Sequence, residues 1–237
     1  MKKISVFLLV LCSSLVFAKP KHDFVKIKTS KGECIIMLYN QTPKHRDNFL
    51  KLSREGFYNG TLFHRVIKEF MIQGGDPDSK TAKAGQALGS GDLGYRVGAE
   101  FRDSLFHKKG VLAAARDNNP QKESSASQFY IVQGKKWTDA SLDDVQTKRM
   151  NGRIIPESQR KIYKELGGTP HLDQNYTVYG EVVSGIEMID EIAGVKTGSS
   201  DRPVEDISMV VSVLKKREAR KIEKKLKLSD IVFENTN

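Results

Sequence analysis

The sequence predicts an all-β fold with minor helices, built as a closed antiparallel barrel or a sandwich. Three observations carry that reading. Eight short apolar runs recur along the chain, at residues 24–28, 34–39, 62–67, 70–75, 110–115, 127–132, 176–182 and 207–214. Gly- and Asp-rich turns separate many of them, the punctuation of short antiparallel strands. Helical periodicity in the core region is confined to two short stretches, after Thr42 and at 186–192.

The first two runs are joined by Thr29-Ser30-Lys31-Gly32, which predicts a hairpin. Thr42 and Pro43 then suit an N-cap and first helical position, with Phe49, Leu50 and Leu52 as the buried stripe. Strands follow until about residue 132. Residues 134–170 break the pattern: they are polar and charged, with helix-like stretches at 141–150 and 156–166 that the pair Gly167-Gly168 stops. This is read as a helical insertion on one side of the sheet. The second short helix, at 186–192, ends at Gly194, and the last strand runs to residue 214. Beyond it, Ala219, Ile222 and Leu226 fall at helical spacing in a basic tail, residues 215–237.

Composition excludes several classes. With 237 residues, 38% hydrophobic and 8% aromatic, and with 19 Gly against 7 Pro, the chain is not collagen-like, low-complexity or globally disordered. The one long apolar run, residues 4–16, is shorter than the roughly 20 residues of a membrane span, which excludes a multispan protein. That run follows Met1-Lys2-Lys3 and ends in Val16-Phe17-Ala18, the order of a secretory signal. Residues 1–18 are therefore expected to be removed and the protein exported, to a periplasm or to the medium. Leu11 beside Cys12 is bulky where a lipoprotein signal has a small residue, which argues against lipidation. Cys34 is then the only cysteine of the mature chain, and its neighbours Ile35, Ile36 and Leu38 suggest a small buried apolar residue. The net charge of +10 is concentrated: residues 215–227 carry eight basic and two acidic side chains, and Lys2 and Lys3 add two more positive charges. Little is left for a basic nucleic-acid surface, and the tail lacks aromatics for base stacking. A solvated helix is the expected state of the tail; weak electrostatic contact with an anionic membrane surface is the alternative.

On paired strands, period two places Met71 and Gln73 on one face, and Gln128 and Tyr130 on one face of their own strand. Arg65 joins them if these strands are neighbours. An arginine and two glutamines beside Met, Phe and Tyr suit a pocket for a peptide with an apolar residue. The same composition also describes the ordinary exterior of a sheet.

The order of motifs separates the two. FHRVI-x2-FMIQGGD at residues 63–76, GVLAAARDNN at 110–119, SSASQFYIV at 124–132 and HLDQNYTVYGEVVSGIEMID at 171–190 resemble the cyclophilin family of peptidyl-prolyl isomerases. The likeness runs from about residue 24 to 214, interrupted at the insertion, so residues 19–214 are expected to form the domain. The resemblance implies a closed eight-stranded antiparallel barrel capped by two helices. It implies catalysis by Arg65, supported by Gln73 and His64, and a substrate pocket of Phe70, Met71, Ala115, Gln128, Tyr130 and Leu172. Proline-containing polypeptides are the implied substrates, the protein is expected to be a monomer, and no metal or other cofactor is implied. The chain departs from the family pattern at Arg116, where Asn is frequent, at Tyr176, in place of a histidine, and at His171, beside Leu172, where Trp is frequent. The sole tryptophan, Trp137, lies in the insertion.

Other classes have less support. Ser124, Ser125 and Ser127 share a loop, but no Gly-x-Ser-x-Gly frames a nucleophile. The histidines at 22, 45, 64, 107 and 171 show no metal-ligand spacing. A peptide-binding chaperone with incidental isomerisation is the nearest alternative.

Overall fold

The structure is a computed structural model that describes residues 21–228. The expected signal segment and Cys12 lie outside the described residues. In chain order the strands and helices are β1 (Asp23–Thr29), β2 (Gly32–Leu38), α1 (Pro43–Arg54), β3 (Phe63–Ile67), β4 (Met71–Gly74), β5 (Arg96–Val97), β6 (Val111–Ala114), β7 (Ser124–Ser125), β8 (Phe129–Val132), α2 (Asp139–Arg149), α3 (Glu157–Glu165), β9 (Val178–Ser184), α4 (Glu187–Ala193), β10 (Val210–Val213) and α5 (Lys216–Leu228). All eight expected strands are present. The two-residue pair β5–β7 was not expected, and is too short to show alternation.

The eight longer strands form one curled antiparallel sheet in the order β10-β1-β2-β9-β6-β8-β4-β3. Its edges, β10 and β3, share no ladder. An isolated bridge, Leu62 to Ser208, joins them, with Phe63 N–H donating to Ile207 O at 2.9 Å and Met209 N–H to Thr61 O at 2.9 Å. From Val210 onward the last strand pairs with β1 instead, Val210 opposite Lys28. Only the short stretch before it is left to reach β3. The curl is therefore not the barrel with a continuous ladder that the resemblance implied.

Alternation divides the sheet's side chains between two cores. Phe129 and Ile131 of β8 face one core with Ile27, Ile36, Phe63 and Leu112. There α1 contributes Phe49, Leu50 and Leu52, and α4 contributes Met188, Ile189 and Ile192. Tyr130 and Val132 face the opposite side with Met71, Ala113 and Val178. On that face Ala219, Ile222 and Leu226 of α5 pack down, so the basic tail is part of the folded body up to this point. Cys34 is buried in the first core, and burial pushes its thiol up to about 12.

Helix α1 begins where Pro43 predicts, but Thr42 makes no side-chain cap. The Glu100 carboxylate takes the place of that cap, accepting Lys44 N–H at 3.1 Å and His45 N–H at 3.0 Å. A negative charge at a helix N-terminus satisfies free donors and complements the macrodipole. The insertion has its own small core of Leu142, Val145, Met150, Ile155 and Tyr163 against Phe106.

Candidate active site

Strands β3, β4 and β8 lie side by side, and their register aligns three expected residues in one row. Arg65 stands opposite Gln73, and Gln73 opposite Tyr130. One strand further, Ala113 continues the row opposite Tyr130. Within β3 the pairing shifts between Phe63 and Arg65, so His64 sits in a β-bulge. A bulge re-aims the side chains after it. Here Phe63 and Val66 both enter the first core, while Arg65 turns to the opposite face.

That face holds a cavity of about 580 Å³. Of the expected residues, His64, Arg65, Phe70, Met71, Gln73, Ala115, Tyr130 and Leu172 line it, together with Arg116 and Tyr176. The apolar members make a slot for a ring; the half-exposed guanidinium of Arg65 lies at one side. Its Nε is 3.4 Å from Asp201 Oδ2. Asp201 and its neighbour Ser200 both take left-handed backbone, φ +59° and +58°, and both line the cavity. Strain of this kind persists where surrounding contacts over-determine it. Burial pushes the pKa of His64 down and that of the Tyr130 hydroxyl well up, so both are neutral at physiological pH.

Gln128 does not line the cavity. It is buried behind the wall, and its Nε2 donates to Gly89 O and Gly91 O, each at 3.0 Å. Its Oε1 accepts from Gln73 Nε2 at 3.1 Å. From the other side Asp76, fully buried, accepts the main-chain N–H of Gly89. The rim loop, of which Leu88, Gly89 and Ser90 line the cavity, is thus braced from two directions. The same motif includes Gly75, at φ +85°, where a Cβ would overlap the Ser127 carbonyl. Only glycine brings β4 this close to the segment carrying Gln128.

The family described as cyclophilin-type peptidyl-prolyl cis-trans isomerase matches residues 24–213, which span all eight strands and the cavity. The chain belongs to this family. A Staphylococcus saprophyticus protein described as a peptidyl-prolyl cis-trans isomerase is 36% identical over 182 residues, 76% of this chain and 86% of that one. A Streptococcus pyogenes protein described as a bifunctional phosphatase/peptidyl-prolyl cis-trans isomerase is 40% identical over 186 residues; they cover 77% of this chain but 37% of the relative. Among solved structures, a Cryptosporidium parvum cyclophilin-type isomerase shares the fold with TM-score 0.59 and 23% identity, over 82% of this chain and 98% of that one. The same Cryptosporidium protein in the presence of the dipeptide Ala-Pro gives TM-score 0.57.

Within this cyclophilin the departures have definite places. Arg116 donates from Nε to Asn175 O at 2.8 Å and from Nη1 to Asp117 O at 2.8 Å, and lies 4.7 Å over the Tyr176 ring. His171 stacks on Phe70, centroids 5.7 Å apart and planes 17° apart. Burial, with Arg149 and His107 nearby, lowers its pKa to about 4, so it stacks as a neutral ring. Trp137 is no substitute for a pocket tryptophan: it is outside the cavity lining and its Nε1 donates to Gly168 O at 2.9 Å.

A Ser–His–acid arrangement does occur, which the loop serines alone did not reveal. His45 bridges Glu100 Oε2 at 2.8 Å and Ser124 Oγ at 2.9 Å. All three are buried, and the adjoining space is about 10 Å³. No acyl substrate reaches Ser124; the trio fastens α1 to β7. Among the described residues, no group of three His, Cys, Asp or Glu side chains is placed to hold a metal ion.

Proposed function

We propose that this isomerase rotates X-Pro bonds of exported polypeptides by hydrogen bonding from Arg65 to the twisting amide. The observation that carries the reading is the cross-strand row Arg65–Gln73–Tyr130 beside an apolar slot. The X-Pro bond has partial double-bond character and a barrier near ~20 kcal/mol. Phe70, Met71, Leu172 and Tyr130 hold the prolyl ring while the preceding residue turns. Twisting ends the resonance and returns a lone pair to the prolyl nitrogen. A guanidinium donates to that lone pair only as the twist develops, so it favours the transition state over both planar forms. No bond to the protein forms. Gln73 stands next to Arg65 in the row and steadies the substrate carbonyl from the neighbouring strand.

The test is cis-trans exchange on a short X-Pro peptide, with peptide affinity measured separately. Arg65→Ala should lower turnover by roughly 10²–10³-fold, the usual effect of removing one preorganised donor, while affinity changes little. Arg65→Lys should rescue little, because a point ammonium lacks the rigid fork. A folded Arg65→Ala protein that turns over at the parental rate would leave the peptide-binding chaperone as the better reading.

Export rests on the basic, apolar, small-residue order of residues 1–18. The exported protein should begin at or near Lys19 by mass spectrometry. Recovery with Met1 intact would contradict it.

A further inference from the structure

The helical insertion reaches the peptide pocket through a chain of buried polar contacts. Asp173 has no solvent exposure in its side chain and accepts four hydrogen bonds. Two come from His107, from its main-chain N–H and its Nδ1–H, both to Oδ1 at 2.8 Å. The other two come from the insertion: Arg153 Nη1 at 3.0 Å and the Tyr163 hydroxyl at 2.7 Å, both to Oδ2. With Nδ1 turned to Asp173, the other ring nitrogen of His107, Nε2, faces Tyr130. The Tyr130 hydroxyl lies 2.9 Å from it, and the two rings stack at 6.0 Å and 15°.

The neck of the insertion is as tightly set. Gly168, at φ +147°, leaves no room for a Cβ between the His107 carbonyl and the Tyr163 ring. Leu172 and Tyr176, which line the cavity, flank Asp173 in sequence. One buried carboxylate therefore fixes both the Leu172–Tyr176 wall and, through His107, the ring of Tyr130.

From this continuity we infer that the insertion is a buttress of the peptide pocket, with Tyr163 and Arg153 as positioning residues that set affinity for the prolyl peptide. The inference rests on the isomerase reading only for the identity of the ligand. It explains how residues outside the cavity lining bear on binding. Loss of either contact leaves part of a buried carboxylate unpaired, and the wall relaxes around it. Arg65, on β3, lies two strands away from Tyr130 of β8 and is not part of this network, so the chemical step is spared.

The experiment compares Tyr163→Phe with the parent, using an X-Pro peptide, for KM, kcat and directly measured affinity. Tyr163→Phe should raise KM and weaken affinity by roughly three- to tenfold, with kcat within about twofold. Arg153→Gln, on the partly exposed side of the same carboxylate, should do the same and serves if Tyr163→Phe folds poorly. Val145→Ala, in the insertion core but outside the network, should lower thermal stability and leave KM unchanged. A double-mutant cycle completes the test: with Tyr130→Phe already present, Tyr163→Phe should have a smaller effect than alone, although the two side chains do not touch. If Tyr163→Phe and Arg153→Gln lower stability but leave affinity at the parental value, the insertion is only a structural appendage and the inference falls. If the parent binds the peptide without turning it over, the isomerase reading fails instead, and the affinity arm still decides this one.

Discussion

Gln128 shows how a residue beside the candidate site can shape it without lining the cavity. Its amide satisfies two carbonyls of the rim loop and the Gln73 side chain at once. Gln128→Ala would leave the Gly91 carbonyl buried without its donor, at a cost of about 1–2 kcal/mol. We expect a lower urea midpoint and weaker peptide binding, because Gly89 and Ser90 line the cavity. An unchanged affinity would mean that Asp76 alone holds the loop. Period two placed Gln128 and Tyr130 on one face, and that much was legible. Which group the Gln128 side chain meets was not, because its partners lie 37 and 39 residues away. The His64 bulge was hidden for a related reason: FHRVI reads as plain alternation, and the extra residue is visible only opposite β4. Asp201 gave no local signal, since its pairing with Arg65 joins strand β3 to a turn far along the chain.

At the scale of elements, strands with a core face on each side were legible because they read as short continuous apolar runs between turns, and the helices of the insertion were legible within two or three residues. Caps supplied from a distance were not: Glu100 reaches α1 from 55 residues away. The tail is the clearest case of a sequence pattern whose purpose only packing reveals. Ala219, Ile222 and Leu226 form an apolar stripe that covers the second core, while Lys216, Lys221, Lys224 and Lys225 are exposed. Among the described residues no helix is long and apolar enough to cross a membrane. Truncation after Leu214 should therefore do more than remove charge. It uncovers Phe24 and its neighbours, and two half-buried aliphatic side chains with one alanine correspond to about 2–3 kcal/mol. A chain ending at residue 214 should show a lower midpoint in denaturant. Equal stability of the two lengths would mean that α5 rests on the sheet without holding it.

For the whole molecule, the buried titratable groups define a pH window. Burial lowers the pKa values of His45 and His64, and with Arg149 and His107 it brings His171 to about 4. As pH falls below the ordinary histidine value of about 6.5, the unfolded chain takes up protons that the folded chain refuses. The unfolded state then binds more protons, so stability declines toward acid. His171 alone should remove about 1–2 kcal/mol between pH 7 and pH 5. Below the carboxylate range the loss continues: burial opposes the ionised form of Glu100, but the His45 side chain and the Lys44 and His45 main-chain donors together hold its pKa down, and Asn119 and Arg96 do the same for Asp117. At the alkaline end the sign reverses. Cys34 and the buried Tyr39, Tyr58, Tyr130, Tyr163 and Tyr179 are held protonated by burial, so the unfolded chain releases protons first above about pH 9 and stability falls again. Urea midpoints should thus be level from about pH 7 to 9 and fall on both sides. His171→Phe should flatten the upper part of the acid limb, since Phe keeps the stack on Phe70 without a titrating ring. Turnover should be level across the same plateau, because Arg65 remains charged throughout. A midpoint that stays constant from pH 7.5 down to 5 would refute the assignment of neutral, buried histidines. A turnover that titrates within the plateau would point to a group other than the guanidinium in the chemical step.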